Sequence, residues 1–113
     1  LDEGVERIAK VHGDASDIQV NDRSMIWNTD LVEAIEFDNL IAQAAVTVGS
    51  AAARPESRGA HAREDCPDRD DEAWMKHTLA WFRDGEVELD DRPVHEYTLS
   101  NDIGYIEPKA RVY

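Results

Sequence analysis

The stretch NTDLVEAIEFDNLIAQAAVTVGSAAA, residues 28–53, constrains this chain more than any other feature. Its polar positions Glu36, Asn39, Gln43, Thr47 and Ser50 form one narrow stripe at helical spacing. Most of the remaining girth is apolar, with Leu31, Ile35, Leu40, Ile41 and Val48 as the large members. Such a helix has to be covered on several sides. The region around Ile35 and Ile41 is expected to supply the core. The small residues Ala42, Ala44, Ala45 and Gly49 let neighbouring backbones come close. Asn28 or Thr29 is placed to cap the helix, because a short side-chain oxygen accepts an amide hydrogen left free in the first turn. Glu33 and Glu36 sit near the positive end of the helix dipole. Pro55 stops the helix.

The rest of the 113 residues offers limited cover. Leu1, Val5, Ile8 and Val11 recur at three- and four-residue steps, which predicts a short amphipathic helix ending near Gly13. One short helix cannot enclose the long one, so a third helix or another domain is required. The chain begins inside this amphipathic pattern, which reads as a piece of a longer protein. A polar connection, DASDIQVNDRS, leads to the long helix. Beyond it a charged loop precedes DDEAW, which predicts a single helical turn capped by Asp70 or Asp71. Asp84-Gly85 between HTLAWF and EVELDD is a hairpin signal, because Gly takes positive φ without strain. Val87 and Leu89 alternate with acids, as in a half-buried strand. Pro93 ends that strand or confines it to an edge. The irregular tail keeps Tyr97, Leu99, Ile103, Tyr105 and Ile106, and is expected to dock.

A formal net charge of −13 and a sequence pI near 4.5 argue against a nucleic-acid partner and against an electrostatic hold on anionic lipid. No apolar run approaches the roughly 20 residues that span a bilayer, and no signal peptide is visible. Cys66 is the single cysteine, so no internal disulfide forms, and a reducing compartment is expected. His61, Cys66 and His77 match no zinc spacing. Ser57 lies near His61 without a nucleophile-elbow sequence. Acids flank Cys66 and blunt its thiol. The six glycines are scattered and form no phosphate cradle. Trp27, Trp74 and Trp81 read as core or interface filler.

Residues 56–74, ESRGAHAREDCPDRDDEAW, crowd three arginines, one histidine and seven acids around a Gly and a Pro. Arg58, Arg63 and Arg69 are forked donors that suit carboxylates. Glu56, Glu64, Asp65, Asp68, Asp70 and Asp71 supply them. Two readings stand level on the residues alone. One is a solvated ion-pair loop, worth little per exposed pair. The other is a buried or interfacial network fixing the loop against another domain.

The longer run RPESRGAHAREDCPDRDDEAWMKHTLAW resembles the C-terminal region of the succinate dehydrogenase flavoprotein subunit. Arg54, Glu56, Ser57, Arg58, Gly59, Ala60, His61, Arg63, Asp65, Pro67, Arg69, Asp70, Asp71, Trp74, His77 and Thr78 match its pattern. NTDLVEAIEFDNLIAQAA, RPVHEYTL and PKARVY resemble its flanking segments, so the likeness runs over nearly the whole chain. One departure is Cys66, where the family carries an aromatic residue before the proline. The resemblance implies a mainly α fold: a small helical bundle, spectrin-repeat-like, with an appended β-hairpin and an irregular docked C-terminal tail. The expected layout is one domain over 1–113, with the bundle at about 1–54, the charged loop at 55–70, and hairpin and tail at 71–113.

The resemblance also implies a role. The complete subunit binds FAD covalently, oxidises succinate to fumarate and passes electrons to an iron–sulfur subunit. Its flavin- and substrate-binding residues lie upstream, so no catalytic, cofactor-binding or metal residue is expected in this chain. The piece alone is expected to be inactive and to bind no cofactor by itself. The implied domain-interface residues are Arg58, His61, Arg63, Asp65, Arg69 and Arg111. The implied partners are the flavin-binding domain of the same subunit, the iron–sulfur subunit and an assembly factor for flavin attachment. The implied location is the cytoplasmic face of the inner membrane or the mitochondrial matrix side, without direct membrane insertion. The rival reading is a free-standing acidic protein-binding module, favoured by the charge. A hydrolase built on His61 and Asp65 lacks a nucleophile.

Overall fold

The long apolar segment forms α2, Thr29–Ala52, in a computed structural model of the chain that describes residues 1–109. Asn28 Oδ1 accepts the Leu31 amide hydrogen at 2.9 Å, so the expected cap is in place. The helix ends before Pro55, as a proline two residues beyond the cap requires. The short amphipathic helix is α1, Asp2–Asp14, followed by a 3₁₀ turn, Ala15–Asp17. α3, Asp71–Trp74, is one turn capped by Asp70, whose Oδ1 accepts from the Glu72 and Ala73 amides. Strands β1, Lys76–Arg83, and β2, Glu86–Pro93, pair as a two-stranded hairpin. Asp84 and Gly85 both have positive φ, 52° and 85°, the pattern of a type I′ turn that suits the twist of a hairpin. β2 stops at Pro93, which has no amide hydrogen for a ladder.

By its Cα packing the chain groups into two compact units. The first holds Leu1–Ala53 and the hairpin tip, Ala80–Leu89. In it α1 approaches α2 closely at Gly4, where an added Cβ would stand 3.2 Å from Val48 Cγ2. Val87 of the tip meets Gly49 of α2, and His12 of α1 stands edge-on to Phe82, with ring centroids 5.3 Å apart. Ile41, 6 % exposed, and Ala45 are the buried apolar side chains among the described residues. Ile35, expected beside Ile41 in the core, is 58 % exposed. The reason is length. α1 has 13 residues and α2 has 24, and at ~1.5 Å per residue the shorter helix covers about half of the longer. A groove of about 720 Å³ is left along Val5, Ile8, Ala45, Val48, Val87 and Leu89.

The second unit holds Arg54–Leu79 and the described residues from Asp90 on. It contains the charged loop, α3, the open end of the hairpin and the tail. In the tail the Tyr97 and Tyr105 rings lie 5.2 Å apart and Thr98 Oγ1 donates to the Ser100 carbonyl. Its Tyr97, Leu99, Ile103, Tyr105 and Ile106 are all exposed. The expected docking is therefore not made on described residues of this chain.

Candidate functional site: a carboxylate held by two arginines

The charged loop is built on a two-residue alternation. Arg54, Glu56 and Arg58 follow that spacing, as do Arg63 with Asp65 and Arg69 with Asp71. The structure makes each of these pairs. Glu56 is the centre, with 0 % exposure. Its Oε1 accepts from Arg54 Nε and Arg58 Nε, each at 2.8 Å. Its Oε2 accepts from Arg58 Nη2 at 2.9 Å and from the Asp70 amide at 2.9 Å. Both carboxylate oxygens are thus satisfied by charged or backbone donors. Burial pushes the Glu56 carboxyl up, but the Arg58 side chain, the Asp70 amide and the Arg54 side chain together outweigh it and hold the group at about 2.

Arg54 reaches further. Its Nη1 donates to the Lys76 carbonyl at 3.0 Å and to Thr78 Oγ1 at 3.2 Å, and its Nη2 to the Trp74 carbonyl. The guanidinium carbon also lies 5.4 Å from the centroid of the Trp74 ring, and Lys76 Nζ lies 4.6 Å from it. Arg58 uses its remaining capacity on Asp71 Oδ1 at 2.8 Å and on the Asp70 carbonyl at 3.2 Å. The Arg58 bond, aided by Arg69, keeps the Asp71 carboxyl below the usual range.

The loop between these pairs is closed by its own backbone. Arg58 and His61 exchange amide–carbonyl bonds of 2.7 and 3.1 Å around Gly59-Ala60. Gly59 has φ +61° with nothing within 4 Å of a built Cβ, so glycine is needed for the backbone angle and not for space. His61 Nε2 and Arg63 Nη1 both meet the Arg54 carbonyl, at 3.1 and 3.2 Å. Arg63 Nε donates to Asp65 Oδ1 at 3.0 Å, and this pairing brings the Asp65 carboxyl down to about 2. Ser57 Oγ accepts the Arg63 amide at 2.8 Å and donates to the Cys66 carbonyl at 2.7 Å. Ser57 is therefore a strut between loop segments, not an activated hydroxyl.

Of the residues singled out from sequence, the structure brings Arg58, His61, Arg63, Asp65 and Arg69 into this one loop. Arg111 lies outside the described residues. At Glu56 the geometry gives a buried network within the chain: the arginines are neutralised by acids of their own loop. Glu56 as hub and Arg54 as its second partner were not singled out. The alternation Arg54-x-Glu56-x-Arg58 was the signal that could have found them. Trp74 fits the filler reading, being half-buried between two cations, whereas Trp27 is 92 % exposed and is not core. Among the described residues, no group of three or more His, Cys, Asp or Glu converges on a metal position.

Comparison with known proteins places this loop in context. The family model described as "Fumarate reductase flavoprotein C-term" matches residues 1–113. A succinate dehydrogenase flavoprotein subunit of Rickettsia bellii is 59 % identical over 100 % of this chain and 19 % of that relative. The mitochondrial succinate dehydrogenase [ubiquinone] flavoprotein subunit of Oryza sativa subsp. japonica is 51 % identical over 100 % of this chain and 18 % of its own length. The FrdA chain of the E. coli quinol fumarate reductase superposes with a TM-score of 0.77 at 36 % identity, covering 85 % of this chain and 17 % of that one. The chain thus spans about a fifth of the length of the curated relatives it matches. It belongs to the fumarate reductase flavoprotein C-terminal family, as the C-terminal part of succinate dehydrogenase and fumarate reductase flavoprotein subunits.

Proposed function

We propose that this chain is the packing domain of a flavoprotein subunit that, in full length, oxidises succinate to fumarate with FAD and passes the electrons to an iron–sulfur subunit. The observation that carries the proposal is the match of the whole chain to relatives named for succinate dehydrogenase. Two features support placing the dinucleotide outside this chain. Arg54, Arg58 and Arg63 are engaged by Glu56, Asp71 and Asp65. The two glycines with positive φ, Gly59 and Gly85, sit in two-residue turns and not ahead of a helix N-terminus, where a pyrophosphate would bind. In this reading the flavin and the reacting groups are held by the part of the subunit outside this chain, and the chain alone turns nothing over. Its partners are that flavin-binding domain, the iron–sulfur subunit and a factor for flavin attachment. The complex works at the cytoplasmic face of the inner membrane or on the matrix side. No helix of the described residues is long and apolar enough to cross a membrane.

The finer architecture follows the same reading. The groove of about 720 Å³ has the lining for one more helix, which would complete a spectrin-repeat-like bundle. The exposed apolar tail would dock on the flavin-binding domain. The pre-neutralised loop around Arg58, His61, Arg63, Asp65 and Arg69 would present a rigid face to it, with Arg111 beyond. No observation favours the free-standing acidic module. The test is to purify the full-length subunit with its iron–sulfur partner and assay succinate-dependent dye reduction. Fumarate formed in step with reduced dye is expected; no succinate oxidation by the flavin-loaded complex would overturn the proposal.

A further inference from the structure

We infer that Met25, Ile26 and Trp27, together with Leu31, Val32 and Ile35, form the surface by which the first unit seats on the flavin-bearing remainder of its own subunit. This rests on the reading that the chain works inside a full-length flavoprotein subunit. Met25 is 96 %, Ile26 75 % and Trp27 92 % exposed, and the three α2 side chains beside them in sequence are exposed too. Six exposed large apolar side chains fall within eleven positions of the chain, a concentration that singly scattered surface residues would not give.

The patch is held out by construction. Trp27 has φ 53°, a conformation that a bulky side chain rarely adopts. The residues before it are strapped to the first turn of α2. Asp30 Oδ2 accepts the Asn21 and Asp22 amides at 2.6 and 3.0 Å. Asn28 Nδ2 donates to the Asp22 and Ser24 carbonyls at 2.9 and 3.1 Å. Asp22 Oδ1 and Oδ2 accept from the Ser24 amide and hydroxyl at 2.8 and 3.0 Å. The bonds fasten 21–24 and 28–30, and leave the apolar triplet between them pointing to solvent. Left bare, the patch would be an arrangement that both the hydrophobic effect and the backbone disfavour.

Size and charge choose the occupant. A stable contact between separate proteins takes about 20–30 residues a side. Six side chains fall well short of that, but suffice for parts of one polypeptide, where covalent linkage supplies millimolar effective concentration. The matched relatives are about five times as long as this chain, so such a remainder is at hand. Glu33, Glu36 and Asp38 border the patch in sequence and have no ion-pair partner among the described residues. The occupant is accordingly an apolar surface with a Lys/Arg rim. The arginine loop, by contrast, is already neutralised from within and does not call for a charged partner.

Hydroxyl-radical footprinting of the flavin-loaded full-length subunit, native against urea-unfolded, reads the patch without any substitution. Oxidation of Met25 and Trp27 is expected to be at least about tenfold slower in the native subunit. Oxidation within about twofold of the unfolded rate would overturn the inference. So would protection that appears only on adding the iron–sulfur subunit, or that grows with protein concentration, since either assigns the patch to a different occupant. The footprint stands apart from activity. Succinate oxidation with a reactive patch removes the docking surface alone; protection without succinate oxidation keeps the surface and removes the functional reading.

Discussion

Replacing Glu56 by Gln tests the charged loop at its hub. The side chain keeps its shape, and its remaining carbonyl oxygen still faces Arg54 Nε and Arg58 Nε. Its new NH₂ points at Arg58 Nη2 and at the Asp70 amide, donor against donor. A carboxyl lowered from 4.5 to about 2 by folding corresponds to about 3 kcal/mol, at about 1.36 kcal/mol per pK unit. Stranding two largely covered guanidinium groups places the total cost at ~3–5 kcal/mol. Amide hydrogen exchange is the suitable assay because it reads local opening. The Asp70 amide and those of Arg58 and His61 are expected to exchange roughly a hundredfold to a few thousandfold faster in Glu56→Gln, since ~1.4 kcal/mol is a factor of ten. The pH dependence has a fixed sign. Folding lowers this pKa, so the stabilisation is complete above about pH 4.5, fades as pH falls, and is gone below about pH 2. Wild-type protection should decline through that window, and the Gln variant should lack that component. Exchange rates within about threefold of wild type, with the same pH course, would refute the argument.

Three further outcomes are expected. Arg58→Lys keeps the charge but loses the fork that spans Glu56 Oε1, Oε2 and Asp71. It should cost ~1–3 kcal/mol in thermal unfolding, less than Arg58→Ala at ~3–5 kcal/mol; equal values for Lys and wild type would count against the bidentate role. Gly59→Ala meets no steric contact but must hold φ +61°, so a loss of ~1–2 kcal/mol is expected, read as faster exchange of the His61 amide. Asn28→Ala removes the cap on the Leu31 amide and should destabilise the start of α2 by ~1 kcal/mol, seen as a matching rise in exchange at Leu31.

The elements with a strong period were legible in the sequence. The stripe from Glu36 to Ser50 located α2, Asn28 its start and Pro55 its end. Asp84-Gly85 located the hairpin because only a few residue types accept two successive positive φ values. What periodicity does not carry is which part of an apolar girth finds cover. Ile35 and Ile41 look alike in sequence, and only the reach of α1 separates them. Trp27 was read with the other tryptophans as core or interface filler, and nothing local in the sequence separates its exposed indole from that of half-buried Trp74. In the charged loop composition revealed pairing but not its centre. Glu56 became visible as the hub only in the folded loop, where Arg54, Arg58 and the Asp70 amide all converge on its carboxylate.

The central physical claim is that an ionised carboxylate, buried and doubly clamped, organises the charged loop. The direct measurement is the titration of the Glu56 side-chain carboxyl carbon by ¹³C NMR. The account expects a midpoint near pH 2. A midpoint at the ordinary glutamate value of about 4.5 would mean that Arg54 and Arg58 do not hold it, and would contradict the account.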